Sequence, residues 1–178
     1  MTREDIITAA VEIVADEGYD RLTLSRLAGV LGVRKASIYY HFTDKQELVD
    51  SIYAHFRDQF LNLGFAVDFS KDARTVFMTA MSHWKTVFQD RQRAAFISLV
   101  EQRKSIDDRS WDVANSLRLM IRGQCEAMLE HVMAAGQMRG VSPSLLSLMF
   151  SNTVYSALVD GQGDPDAFLV SFLDSFAK

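Results

Sequence analysis

Eight side chains that can hold a phosphate or read the edge of a base lie close together in the first quarter of the sequence. They are Thr23, Arg34, Lys35, Ser37, Tyr39, Tyr40, His41 and Lys45. Lysine and arginine attract phosphate oxygens, and they also donate hydrogen bonds to the acceptors of guanine. Hydroxyl groups bond to phosphates, sugars or base edges. The segment between residues 23 and 45 is therefore a candidate binding surface.

Charge is unevenly distributed along the chain. The formal net charge of −4 for all 178 residues argues against a nucleic-acid partner when it is taken alone. Residues 1–20 contain one basic and six acidic side chains, a net charge of −5, whereas residues 21–45 contain five basic side chains and Asp44, a net charge of +4. A local cationic segment of this kind suits nucleic acid, although an ordinary solvated surface would have the same charge.

Short helices are predicted to position these side chains. The apolar spacing and capping residues predict helices over residues 2–17, 23–30 and 34–41, with Gly32 in the turn between the last two. Two short helices joined by a tight turn, and set against a longer first helix, form a tri-helical helix-turn-helix. Such a unit can place its second short helix in the major groove of DNA. Topology alone does not decide this, because other helical proteins also contain short helices and glycine turns.

The segment LTLSRLAGVLGVRKASIYYHFTDKQEL resembles the DNA-binding signature of the TetR family of transcriptional regulators. The matching positions are Thr23, Leu27, Ala28, Gly32, Val33, Tyr39, His41, Phe42, Lys45 and Leu48. Arg34 departs from the pattern, because many members have a small hydroxyl residue there that caps the third helix. The resemblance implies a TetR-type helix-turn-helix DNA-binding domain at residues 1–46.

The resemblance also implies a role for each side chain of this surface. Lys35 and Ser37 are the expected base readers, and Arg34 either reads guanine or holds a phosphate. Thr23 and Lys45 are expected to hold the DNA backbone on either side, with a solvated lysine as the alternative for Lys45. The rings of Tyr39, Tyr40 and His41 are expected to contact phosphates and sugars. For His41, packing within the protein is the alternative.

Residues 47–178 are predicted to form a helical effector-binding and dimerisation domain of about six further helices. Ser142-Pro143 and Asp164-Pro165 each place a capping residue before a proline, which suits the first turn of a helix. Alternation of polar and apolar residues is too short throughout to predict a strand. The expected fold is therefore all-α, with about nine helices in total.

Methionines and isolated polar residues on the apolar faces of the C-terminal helices indicate either a ligand cavity or gap filling in an ordinary core. His83, Gln124 and Asn152 are such polar residues, and each needs a protein, water or ligand partner if it is buried. The expected contacts of a small hydrophobic effector are Met81, Trp84, Met120, Gln124, Met128, Asn152 and Tyr155.

The last predicted helix is very apolar, with Phe168, Phe172 and Phe176 at every fourth position. A helix of this kind needs a partner surface, which is either the core of its own chain or a second copy. In the TetR family the last two helices of each subunit form a dimeric four-helix bundle, so the resemblance implies a homodimer. The expected interface consists of Leu145, Met149, Phe168, Phe172 and Phe176.

Motifs of enzymes are not found in the sequence. It has no glycine-rich phosphate loop, no metal-spaced His/Cys cluster and no GxSxG nucleophile motif, so we expect neither an enzyme nor a cofactor or metal site. Cys125 is the only cysteine, and no apolar run is long enough to span a membrane. These features lead us to expect a cytoplasmic protein without a membrane partner.

Two functions are compatible with these observations. The first is a repressor that binds a pseudo-palindromic operator in double-stranded DNA and is released from it by a small hydrophobic ligand. The alternative is a DNA-binding accessory or nucleoid-associated protein of the same fold, which has no small-molecule effector.

Overall fold

A computed structural model describes residues 1–61, 65–139 and 142–178. The helices in chain order are α1 (Arg3–Glu17), α2 (Leu24–Val30), α3 (Lys35–His41), α4 (Lys45–Leu61), α5 (Ala73–Gln89), α6 (Arg91–Arg103), α7 (Asp108–Ala134), α8 (Pro143–Val159) and α9 (Pro165–Phe176). A 3-10 turn, Tyr19–Arg21, separates α1 from α2. Over these described ranges, the prediction of an all-α fold with about nine helices is confirmed. Among the described helices, none has both the length and the apolar character needed to cross a membrane.

The chain divides into two compact units. The first consists of Met1–Leu63 and Asp90–Trp111, and the second of Gly64–Gln89 and Asp112–Lys178. α6 therefore belongs to the same unit as α1 to α4, although α5 lies between them in sequence. This grouping describes packing and does not test the functional division between residues 46 and 47, which stays a prediction.

Local capping signals fix the helix starts of the first unit. Asp5 N–H donates to Thr2 Oγ1 at 3.1 Å, and Thr2 N–H donates to the Asp5 carboxylate at 2.6 Å, which forms a capping box at α1. Thr23 Oγ1 accepts from Arg26 N–H at 3.0 Å and begins α2. Arg34 begins α3 without a side-chain cap, as its departure from the family pattern implied. Gly32, with φ of 65°, makes the turn between these helices.

The core of the first unit extends from the helix-turn-helix into α6. Ile38 and Phe42 are fully buried beneath the outer face of α3. α6 packs on α1, and its Phe96 stacks on Phe56 of α4 at 4.6 Å between ring centres. At the surface, Arg91 and Asp16 form an ion pair of 2.9 Å between α6 and α1.

An aromatic cluster holds α5, α8 and α9 together in the second unit. The ring of Phe150 lies 5.2 Å from Phe77, 5.3 Å from Phe168 and 4.6 Å from Phe172. Asp164 accepts two backbone N–H groups at the start of α9, as predicted, whereas Ser142 makes no capping bond at the start of α8. The phenylalanine stripe of α9 therefore packs on the core of its own chain, which was the first of its two predicted partners.

Candidate functional site

α3 presents polar and aromatic side chains to solvent above a buried base. Lys35 is exposed, as is Arg34 directly before the helix. Tyr39 is 52% exposed and Tyr40 86% exposed, although an aromatic ring of this size is usually covered in a folded protein. Ile38, on the opposite side, is completely buried. The outer face of α3 thus combines two cations with two phenolic groups, which can donate to phosphates, sugars and base acceptors.

Two further predicted contacts on α3 are less exposed. Ser37 is half-buried, and its backbone N–H donates to the Arg34 carbonyl at 2.9 Å. The half-buried ring of His41 packs edge-on against Tyr40, with 5.2 Å between ring centres. The geometry leaves open both roles predicted for His41, since the ring is partly accessible and partly packed.

Thr23 lies at the start of α2, where it is exposed and caps the helix. Its oxygen accepts the Arg26 N–H, and this bond does not use its hydroxyl proton, which can be donated to another acceptor. Arg26 itself forms an ion pair with Glu17, and the hydrogen bond from Arg26 lowers the pKa of that carboxyl group. Thr23, unlike Arg26, is therefore placed as a candidate phosphate contact.

Lys45 is held against the turn that follows α1. Its Nζ donates to the Tyr19 carbonyl oxygen at 3.0 Å and lies 3.9 Å from the centre of the Tyr19 ring. Burial lowers the pKa of Lys45; the carboxylate of Asp20 opposes this change, and Arg103 adds to it. The alternative of an ordinary solvated lysine is therefore not supported by the structure.

Arg3 joins α1 to the end of α3 and the start of α4. It donates to the His41 carbonyl oxygen at 2.5 Å and to Glu47 Oε1 at 3.2 Å. Its guanidinium also lies 4.2 Å from the centre of the Phe42 ring. Glu47 accepts the Thr43 N–H at 2.8 Å, and this bond is the largest cause of the lowered pKa of Glu47. Arg3 could not be identified from the sequence, because His41 and Glu47 are 38 and 44 positions away from it.

The predicted effector contacts in the second unit are mostly buried. Met81, Trp84, Met128 and Tyr155 are each at most 2% exposed, and Met120 is half-buried. Trp84 Nε1 donates to Gln124 Oε1 at 2.7 Å, so Gln124 has a protein partner. Phe65, which the sequence analysis did not single out, stacks on Trp84 with 5.9 Å between ring centres.

Asn152 and Tyr155 are the two predicted contacts on α8. Asn152 is exposed on α8, so its expected place among buried polar groups is wrong. Tyr155 is covered by Arg118, whose Cζ lies 4.1 Å from the centre of the tyrosine ring. His83, the third polar residue that suggested a cavity, is half-buried with its ring 5.7 Å from that of Phe65.

The predicted dimer residues fall into two groups. Leu145 is 48% exposed and Met149 61% exposed, and Leu148 between them on α8 is also exposed. Phe172 is only 8% exposed and belongs to the aromatic cluster, so it packs mainly within its own chain, and its part in an interface stays a prediction. The remaining two predicted residues are half-buried: Phe168 and Phe176. Phenylalanines at every fourth position indicate that one face of α9 is covered. They do not indicate whether the core of the same chain or a second copy covers it.

Cys125 and His131 lie on α7 in the second unit. Cys125 is fully buried, and burial raises the pKa of its thiol. His131 is bonded through Nε2 to the Phe69 carbonyl oxygen at 3.0 Å. Over the described residues of the chain, no group of three His, Cys, Asp or Glu side chains is placed to hold a metal ion.

Comparison with known proteins agrees with the geometry of the first unit. Residues 6–52 match the family model described as bacterial regulatory proteins, tetR family. The class C tetracycline repressor protein of Escherichia coli is 40% identical over 52 residues, which are 29% of this chain and 24% of that protein. The helix-turn-helix of the first unit is thus of the TetR type. The family resemblance predicted from the sequence is thereby confirmed.

Similarity to family members extends beyond the helix-turn-helix. The transcriptional repressor BepR of Brucella suis is 23% identical over 163 residues, which cover 90% of this chain and 78% of that protein. The crystal structure of a TetR-family regulator from Agrobacterium tumefaciens has a TM-score of 0.70 at 18% identity, and it covers 99% of this chain and 97% of that one. These likenesses show that the second unit shares the helical fold of these regulators. The matches to tetracycline repressors, in contrast, span about a quarter of those proteins.

Proposed function

We propose that this chain is a sequence-specific DNA-binding transcriptional regulator, and that it acts as a repressor. The observation that carries the proposal is the outer face of α3, which exposes Arg34, Lys35, Tyr39 and Tyr40 on a TetR-type helix-turn-helix. A face of this kind suits the major groove, since it offers several donors and few acceptors. The relatives named as repressors support the direction of regulation.

Each side chain of this surface has a proposed contact with DNA. Lys35 and Ser37 read bases, Arg34 reads guanine or holds a phosphate, and Tyr39 and Tyr40 contact the sugar-phosphate backbone. Thr23 and Lys45 hold phosphates on either side of the groove, together with His41 if its ring turns towards the backbone. The base readers determine sequence preference, and the backbone contacts determine affinity and orientation.

Selection of binding sites from random DNA tests the proposal. The native chain should enrich a pseudo-palindrome whose half-sites are about one helical turn apart. Lys35→Ala should change the preferred bases, by about 1–3 kcal/mol at the contacted position. Lys71→Ala removes an exposed lysine of the second unit and is the matched control, which should leave the selected sequence unchanged. Absence of any sequence preference at moderate salt would contradict the proposal.

The proposed assembly is a homodimer formed by α8 and α9. Leu145, Leu148 and Met149 lie three and four positions apart on α8 and are all exposed. Val170 on α9 is 48% exposed and adds to the apolar surface of these helices. A two-fold interface uses the same patch on both subunits, which suits a patch of this kind. The dimer would also supply the second half-site contact that a pseudo-palindrome requires.

We further propose that a small hydrophobic ligand binds in the second unit beside Trp84 and reduces DNA binding. Met81, Met120 and Met128 supply flexible apolar walls, and Gln124 supplies a polar group. The relative named after tetracycline supports a small-molecule effector. The ligand must bind more tightly to the arrangement that does not bind DNA, and a coupling of about 1–3 kcal/mol would weaken DNA binding about 5–150-fold.

A DNA-binding protein without an effector is the competing function. It is favoured by the Trp84–Gln124 bond and by the exposure of Asn152, because these account for two of the three polar residues that suggested a cavity. Tryptophan fluorescence against a panel of hydrophobic compounds, followed by release from the selected DNA, separates the two functions. Binding without release would favour the competing function. The absence of catalysis and the cytoplasmic location stay predictions.

A further inference from the structure

Tyr19 contacts two cations within the first unit. Lys45 Nζ lies 3.9 Å from the centre of the tyrosine ring, and Arg103 Cζ lies 4.2 Å from it. Tyr19 belongs to the 3-10 turn after α1, Lys45 is the first residue of α4, and Arg103 is the last residue of α6. Three elements that are distant in sequence therefore meet at one aromatic ring, whose negative face attracts cations.

Lys45 is fixed by a second contact with the same residue. Its Nζ also donates to the Tyr19 carbonyl oxygen at 3.0 Å, so one of the three N–H groups of the ammonium is used. A lysine side chain normally loses rotamer freedom when it binds a phosphate. An ammonium that is already held in place loses less, and its binding is correspondingly tighter.

The surroundings of Lys45 leave its charge incompletely compensated. Burial lowers the pKa of the ammonium, the carboxylate of Asp20 acts in the opposite direction, and the guanidinium of Arg103 adds to the lowering. Arg103 has its own anionic neighbour in Asp107, at 3.7 Å. A cation that has lost part of its hydration gains more from an arriving anion than a fully hydrated one does.

We propose that Tyr19 and Arg103 are positioning residues for DNA binding. The ring and carbonyl group of Tyr19 hold the Lys45 ammonium where it meets a backbone phosphate, and Arg103 secures the ring from the end of α6. This inference rests on the proposed DNA-binding function. It assigns a part of the DNA-contacting machinery to α6, which lies outside the residues 6–52 that match the family model.

A purely structural role for Tyr19 is the competing explanation. In that case the ring only joins the turn to α4 and α6, and Tyr19→Leu lowers stability without changing what Lys45 contributes to DNA binding. Stability alone cannot separate the two explanations. The test therefore compares DNA binding by single and double variants of the full chain.

A duplex of mixed sequence, about 30 base pairs long, is a suitable probe because phosphate contacts do not depend on sequence. Lys45→Met should reduce the slope of log affinity against log salt by about one. Tyr19→Leu should weaken binding about two- to fivefold. This loss should vanish when Lys45→Met is already present, because the two residues act through one contact. Tyr19→Phe keeps the ring and should bind like the native chain; the backbone carbonyl group is present in all of these variants.

Arg103 is tested against its neighbour. Arg103→Met and Lys104→Met each remove one positive charge from the end of α6, but Lys104 pairs with Glu101 instead of contacting the ring. Arg103→Met should weaken duplex binding about twofold, as expected for loss of a ring contact. Lys104→Met should leave binding unchanged. Equal losses in the two variants would mean a general charge effect, and they would overturn the role of Arg103.

The contact itself can be measured without DNA. The ring current of Tyr19 should shift the NMR signals of the Lys45 ε-methylene protons in the native chain and in Tyr19→Phe, and the shift should disappear in Tyr19→Leu. If the native chain binds no duplex at any salt concentration, the proposed function fails, and the DNA role of Tyr19 fails with it. If the duplex is bound but Tyr19→Leu and Lys45→Met weaken it independently, the inference alone is overturned.

Discussion

Trp84 and Gln124 are joined by a hydrogen bond of 2.7 Å between the indole N–H and the amide oxygen. The bond connects α5 with α7 in the second unit, and Trp84 is only 1% exposed. A buried indole N–H usually finds an acceptor, because leaving it without one is costly. The bond explains why a polar residue occupies the otherwise apolar face of α7 that faces Trp84.

Removal of both partners should destabilise the chain by less than the sum of the two single removals. Gln124→Leu leaves the Trp84 N–H without its acceptor and should lower the free energy of unfolding by about 1–3 kcal/mol. Trp84→Phe removes the donor together with part of the ring. The double variant should therefore be more stable than the sum of the two single losses predicts. Urea unfolding of the four proteins measures the coupling, and strict additivity would contradict a stabilising role for the bond.

Phe96 should be essential for the stability of the first unit. It stacks on Phe56 and is 5.3 Å, centre to centre, from Tyr53, although it lies on α6. Phe96→Ala should lower the free energy of unfolding by about 3–5 kcal/mol, since it leaves a cavity among buried rings. Urea unfolding measures this loss. Leu119→Ala is the control, because Leu119 is 55% exposed and its truncation should change stability little.

The sequence could predict which residues are buried better than which helices they pack against. Ile38 and Phe42 were assigned to the core correctly, because a spacing of four on a short helix identifies one covered face. The α6 contact with α4 could not be predicted, because periodicity shows which face of a helix is covered but not which helix covers it. The partner of Phe172 could not be predicted for the same reason, since a covered face on α9 suits an interface and a core equally.

The environment of Lys45 was also beyond prediction. The family pattern placed this residue at the DNA backbone, but its partners Tyr19 and Arg103 are separated from it by 26 and 58 positions. Contacts of that range depend on how α6 packs on α1. The capping residues Thr2 and Thr23 were predictable by contrast, because a cap and the backbone N–H group that donates to it are only three positions apart.

Acid should weaken the link between α1, α3 and α4. Hydrogen bonds from Thr43 and Arg3 lower the pKa of Glu47 below its ordinary value of 4.5. Because its pKa is lower in the folded chain, the ionised Glu47 contributes stability at any pH above its pKa in the unfolded chain. This contribution is lost as the pH falls through its pKa in the folded chain. Glu47→Gln should therefore lower stability at neutral pH and reduce its decline below about pH 4.5. Thermal unfolding between neutral and acidic pH measures both changes.

The matching control is Glu4→Gln, which removes an exposed carboxylate from the first turn of α1. It changes the net charge by the same amount, but it does not touch the contacts of Arg3 with α3 and α4. If Glu4→Gln and Glu47→Gln change the decline of stability at acidic pH equally, the effect comes from overall charge and not from the Glu47 contacts.

Met149 and Phe172 should respond differently to the introduction of a charge. Met149 is 61% exposed on α8, so Met149→Asp should leave the fold intact and yield monomers if α8 and α9 form the interface. Phe172 is buried among Phe77 and Phe150, and Phe172→Asp should unfold the second unit instead of separating folded subunits. Light scattering gives the mass, and circular dichroism shows whether the helices remain.

The affinity of Met149→Asp for DNA is a second test of the α8–α9 interface. A folded Met149→Asp monomer keeps α3 intact, but it contacts only one half-site at a time, so its affinity for the full pseudo-palindrome should fall steeply. Its affinity for an isolated half-site should equal that of the native chain. Met78→Asp is the control, because Met78 is also more than half exposed but lies on α5, which is not one of the two proposed interface helices. A native chain that is monomeric at micromolar concentration, or a Met149→Asp variant that remains dimeric, would place the interface elsewhere.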